Sequence, residues 1–142
     1  MIAVERNLNG AWWALRIGLG AGILLAGLDK FFDVLATWSM YLSPLAERLL
    51  PVSGDTFLRG VGIVEIAVGL AILTRWTRLG AYALSAWLLL IVVNLALAAR
   101  FWDLVVRDVE VAISAFALAR LTEWRAEGAS ARPVGAAGGD QR

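Results

Sequence analysis

The residues of this chain that could do chemistry are few, and the most conspicuous sit where charge is expensive. Residues 101–121 read FWDLVVRDVEVAISAFALARL, an apolar stretch carrying Asp103, Arg107, Asp108 and Glu110. About 20 mostly apolar residues span a bilayer as a helix, and a charge held there costs at least ~2.5 kcal/mol. At about 100° per residue, Asp103, Arg107, Glu110 and Ser114 fall on one narrow stripe, an arginine with a carboxylate one turn away on either side. A guanidinium fork placed this way can hold an anionic or carbonyl-bearing ligand. Asp108 falls on another line with Ala112, Ala115 and Ala119, small side chains that let a neighbouring helix approach.

Glu65 is the second candidate. It lies in the middle of FLRGVGIVEIAVGLAIL and shares a face with Gly62, Gly69 and Ile72, so it is expected to face other helices rather than lipid. Either Glu65 or Glu110 could pass a proton. Asp29, Lys30, Arg59 and Asn94 complete the set. For Asp29 and Lys30 an interfacial charge pair and a place in a site are both open, and for Asn94 an interhelical hydrogen bond competes with ligand contact.

Composition excludes much else. With no cysteine and no histidine, thiol redox chemistry, disulfides, haem ligation by histidine and any ordinary zinc site are ruled out, and no metal site or nucleophile is expected. Electrons passing through this protein would travel on a bound cofactor or a partner. A net charge of +1 offers no footprint for nucleic acid. The 60% hydrophobic and 18% charged composition departs from a soluble domain, which is about a quarter charged. The class expected is an all-α polytopic membrane protein.

The elements that must position these residues are four apolar spans. The first covers about residues 11–32, opened by Trp12 and Trp13 at the interface. Its small residues Gly18, Gly22 and Ala26 form a line suited to close packing, and Arg16, Gly20, Gly27 and Lys30 form a second; Arg16 is expected to snorkel to the headgroups. The second span covers about 57–73, the third 79–99 and the fourth 101–121. Residues 33–56 form the longest connection, with TWSMYLSPLAERLL amphipathic enough for a short surface helix able to act as a lid. The expected domains are a cytoplasmic N-terminus (1–10), a four-helix transmembrane domain (11–121) and a cytoplasmic tail (122–142), disordered past Glu127.

All but one of the 13 basic residues are arginine. The N-terminus, the TRWTR turn and the tail share one side and hold Arg6, Arg75, Arg78, Arg125, Arg132 and Arg142, so the positive-inside rule places both termini in the cytoplasm. The predicted fold is an antiparallel four-helix transmembrane bundle with a short surface helix between spans one and two. On that topology Asp29, Lys30, Asn94, Arg59, Glu65, Asp103, Arg107, Asp108 and Glu110 reach the outer half of the membrane, which predicts an outward-opening polar pocket floored by Glu65 and Glu110 and containing Arg107. A purely structural charge network is the competing expectation.

LRIGLGAGILLAGLDKFFD resembles the first helix of the DoxX family, an arginine entering a glycine-rich span that ends in a Gly-x-x-Lys-Phe signature, here Arg16, Gly27, Lys30 and Phe31. GVGIVEIAVGLAILTRWTRLGA is similar to that family's second helix and basic turn, through Gly62, Glu65 and Gly69, and the Arg107-Asp108 pair resembles the end of the domain. The resemblance covers about residues 15–121. It implies a four-helix bacterial inner-membrane subunit tied to quinone or sulfur chemistry, with quinone as the candidate cofactor and a soluble redox partner on the cytoplasmic side. Three functions are therefore expected to compete. One is a membrane subunit of a redox or envelope-stress complex whose pocket binds a quinone headgroup, lipid or small anion. The second is a scaffold that recruits a soluble partner. The third is a small proton-coupled transporter acting as a homo-oligomer, for which four spans would otherwise be few.

Overall fold

The computed structural model describes residues 2–130, and these are all-helical. Four long helices dominate: α1 (Ile2–Asp29), α3 (Gly54–Leu73), α4 (Thr77–Ala98) and α5 (Trp102–Ser130). The connection after α1 holds a single 3-10 turn (Trp38–Tyr41) and the six-residue α2 (Pro44–Leu49). The expected short helix is there, and both outer boundaries move. α1 begins at Ile2 rather than near residue 11, and α5 continues through the whole of TEWRAEGAS to Ser130. Thr122 and Tyr82 anchor this added length to the packed helices, so loss of apolar periodicity does not end the helix. The remaining tail, 131–142, lies outside the described residues.

Local chemistry sets the breaks. Ser43 caps α2, accepting from Ala46 N at 3.1 Å, with Pro44 in the first turn. Ser53 caps α3 through Thr56 N at 3.3 Å; each satisfies an otherwise orphaned amide. α4 ends where Ala99 turns left-handed, φ 52°, which frees the chain to reverse into α5.

α1 packs along α3 and α4 along α5, with shorter contacts between α3 and α4 and between α1 and α5. The α1–α3 contact is glycine against glycine. A Cβ on Gly27 would lie 2.7 Å from the Gly62 carbonyl oxygen, and one on Gly69 would lie 2.9 Å from that of Gly20. The packing line on α1 is thus Gly20 and Gly27; Gly18 and Gly22 have nothing within 4 Å of a Cβ, contrary to the expectation that theirs would be the contact line. The α4–α5 contact is built from Ala81, Leu84 and Leu88 against Ala112, Ala115, Leu118 and Ala119, with Trp12 and Ile72 joining the same core.

Three helices, residues 6–29, 54–73 and 77–98, are long and apolar enough to cross a membrane. Their outward faces are apolar: Ile17, Leu25, Ile63, Leu70, Leu79, Leu90, Val93 and Leu97 are all exposed. Such a large exposed apolar surface is compatible with a bilayer and foreign to a monomeric soluble domain.

Candidate functional site: a buried lysine–glutamate pair under a tryptophan

The charged centre lies where the last turn of α1 meets the middle of α3. Gly62 leaves a groove across which the Lys30 side chain runs; Lys30 Cβ would be 3.2 Å from a Cβ at residue 62. The ammonium then reaches Glu65, Nζ donating to Oε2 at 2.6 Å, with side chains only 5% and 2% exposed. Glycine at 27 and 62 is what makes this pair: it brings the α1 and α3 backbones into contact, so a four-carbon stem spans the gap. Trp87 Nε1 approaches Glu65 Oε1 at 3.5 Å from α4.

The connection closes over the pair. Lys30 Nζ sits 3.6 Å from the Trp38 ring centroid, a cation over an aromatic face. Trp38 is held by its own indole N–H, which donates to Asp29 Oδ2 at 2.8 Å. Asp29 also accepts the amides of Val34 and Leu35, each at 3.0 Å, and Ala36 at 3.3 Å. Asp29 and Lys30 therefore do not form an interfacial pair with each other. The aspartate folds the connection, and the lysine belongs to the centre.

Above the lysine is a small polar cleft of about 90 Å³, lined by Lys30, Phe31, Asp33, Trp38, Ser39, Asp55, Leu58 and Arg59. Arg59 is exposed on its rim. Asn94 is outside this lining. It accepts from Ser43 N at 3.1 Å and donates to the Tyr41 carbonyl at 2.8 Å, so it ties α4 to the connection rather than to another long helix.

The fourth-helix residues separate. Asp108 is buried, and Arg107 binds it through Nε at 3.0 Å and Nη2 at 2.9 Å. Arg107 itself turns outward, its side chain 60% exposed, and Asp103 and Glu110 are exposed with no ion pair among the described residues. The expected ladder of Asp103, Arg107 and Glu110 does not form, and Arg107 and Glu110 do not join Glu65 in one pocket. The reason is steric. α5 can press only one face on α4, and the line of Ala112, Ala115 and Ala119 allows the closer contact, so Asp108 goes in with it and the charged stripe goes out.

At the opposite end, Arg16 spans α1 to the last turn of α3. It donates to the carbonyls of Ile72 at 3.0 Å, Leu73 at 2.8 Å and Thr74 at 2.6 Å. These are the C-terminal carbonyls a helix cannot satisfy itself, so the arginine expected to snorkel is a helix cap. Trp12 Nε1 donates to Thr122 Oγ1 at 2.8 Å and Tyr82 OH to Glu123 at 3.0 Å, which fastens α1 and α4 to the later turns of α5. Sequence reasoning missed Trp38 and these clamps. The available signal for Trp38 was an indole in an amphipathic connection, nine residues beyond an aspartate at a helix end.

Comparison of the chain with protein-family models, with curated proteins and with solved structures finds no match.

Proposed function

We propose that this is a DoxX-like integral membrane subunit of a bacterial inner membrane, in which the Lys30–Glu65 centre and its cleft bind a small polar or anionic group. The observation carrying this reading is a buried lysine, paired with Glu65 on one side, that lines a polar cleft together with Trp38 on the other. A cleft of about 90 Å³ is far below the roughly 300–1,000 Å³ of a drug-sized pocket, so it suits a headgroup or small anion whose tail, if it has one, stays in lipid. A quinone or lipid headgroup fits that description.

Four crossings are proposed rather than three. α5 lies along α4 over a buried alanine and leucine face, so it must share the depth of the apolar α4. Arg6, Arg75, Arg78 and Arg125 lie at the end where α1 begins, α3 turns into α4 and α5 finishes, which supports a cytoplasmic placement of that end. The motifs that resemble DoxX proteins, Gly27 with Lys30 and Gly62 with Glu65, are the ones that build the centre; on that resemblance its setting is a redox or envelope-stress complex.

Native mass spectrometry of gently solubilised protein tests the reading. A quinone, lipid or anion bound one to one in the wild type and lost in Trp38→Ala is expected; an adduct indifferent to that substitution refutes the site. A scaffold role is the second reading, favoured because no buried side-chain nitrogen or oxygen among the described residues lacks a partner. In that case no adduct is found, and deleting 127–142 removes recruitment of a soluble partner.

A further inference from the structure

We infer that residues 31–35, the segment directly after α1, insert into the lipid leaflet at that end of the bundle and hold the cleft at headgroup level. The inference rests on the membrane reading of the proposed function, not on the identity of the bound group. Burial in this stretch is inverted. Asp29 and Lys30 are only 6% and 8% exposed, whereas Phe32, Val34 and Leu35 are 73%, 79% and 71% exposed. A helix end standing in water would turn its charges out and fold its apolar side chains in. The one charge within the segment, Asp33, lines the cleft with Arg59.

The bilayer is the occupant that the surroundings fit. Leu25 and Leu28, 56% and 40% exposed, carry the apolar outer surface of α1 up to the segment without a break. The exposed indole of Trp13 marks the far interface, and from there to Asp29 α1 rises only about 24 Å. The hydrocarbon core is roughly 30 Å thick, so about 6 Å of it is left for the residues beyond Asp29 to face. At the same end Tyr41 packs its ring on Phe101, centroids 5.0 Å apart, and Trp102 is 59% exposed, the aromatic level of a membrane boundary. The backbone is prepared for lipid as well. Phe31 N donates to the Leu28 carbonyl at 3.1 Å, Phe32 N and Asp33 N to the Asp29 carbonyl at 2.9 and 2.7 Å, and the next three amides to the Asp29 carboxylate. Hydrocarbon offers no acceptor, and Asp29 lets the segment leave water without stranding a donor. Phe31 and Asp33 both line the cleft, so insertion sets the cleft among headgroups, within reach of an amphiphile in the leaflet.

The chain has no cysteine, so single cysteines carry a fluorophore to chosen sites. Phe32→Cys, Val34→Cys and Leu35→Cys are labelled with nitrobenzoxadiazole and reconstituted into vesicles of phosphatidylcholine and phosphatidylglycerol. Leu90→Cys, exposed on α4, and Arg75→Cys, exposed in the turn after α3, serve as lipid and water references. At 32, 34 and 35 nitroxide-bearing lipid is expected to quench within about twofold of its effect at 90, and iodide on both sides of the membrane at least about threefold less than at 75. Iodide quenching at all three sites equal to that at 75 puts the segment in water and overturns the inference. Shielding from both quenchers means that a second copy or another protein covers the segment, and overturns it equally. Phe32→Asp with Leu35→Asp leaves Asp29 and its amide bonds in place, and is expected to raise iodide quenching of the Val34→Cys label to the value at 75; no rise refutes insertion by these side chains. A label at 90 that iodide reaches refutes the membrane reading as well, whereas 90 in lipid with 32–35 in water refutes this inference alone.

Discussion

Removing one member of the Lys30–Glu65 pair should be far more damaging than removing both. Breaking a buried ion pair leaves a charge without its counterion and costs about 3–5 kcal/mol, whereas replacing both members with apolar residues of similar volume is often neutral or stabilising. The structure also ranks the two single variants. In Glu65→Gln the ammonium keeps the Trp38 face at 3.6 Å, a contact worth roughly 0.5–2 kcal/mol, and an amide oxygen remains near it, so the loss belongs at the low end, about 3 kcal/mol. In Lys30→Met the carboxylate keeps only the long 3.5 Å approach of Trp87 and the tryptophan loses its cation, so the loss belongs at the high end, about 5 kcal/mol. The double variant Lys30→Met with Glu65→Leu should return to within about 2 kcal/mol of the wild type. Reversible unfolding in mixed micelles, followed by tryptophan fluorescence, measures all four proteins. Two single variants within about 1 kcal/mol of wild type, or a double variant no better than the worse single, would refute the burial argument. The same double variant separates structure from function, since it should remain folded and yet lose the bound group. Retention of the adduct would show that the pair does not hold it.

Substitution of the glycines should sort them by face. Gly62→Ala places a Cβ 2.7 Å from the Gly27 carbonyl oxygen and should destabilise by about 1–3 kcal/mol, while Gly18→Ala and Gly22→Ala, with open space around them, should match the wild type in the same unfolding measurement. Asn94→Leu removes both ties to the connection and strands the Ser43 amide and Tyr41 carbonyl, a loss of about 1–3 kcal/mol. Limited proteolysis should then cut within residues 33–53 sooner than in the wild type, and an unchanged cleavage pattern would assign the connection's order to Asp29 alone.

Sequence alone made much of the site legible, in particular residues. The spacing of Gly62, Glu65, Gly69 and Ile72 puts them on one helical face, and that face is buried. The arginine beside Asp108 and the alanines at 112, 115 and 119 were separable into a charged and a packing side by the same period. What the period cannot supply is the choice between two faces that are both plausible. On α1, the lines through Gly18 and through Gly20 are equally regular; only the second meets glycines on α3 and lets Arg16 reach the carbonyls of 72–74.

Helical rise and periodicity act within one segment, so the amino-acid order by itself determined the long helices, their apolar outer surfaces and which side chains travel together. Which of those groups meet depends on how closely two backbones can approach, and that is a property of paired surfaces. The glycines at 27 and 62 brought Lys30 to Glu65, and the alanines of α5 took Asp108 inward and left Arg107 and Glu110 outside. The placing of Trp38 over the lysine required the connection to fold back on Asp29, a contact between elements that no single helix encodes.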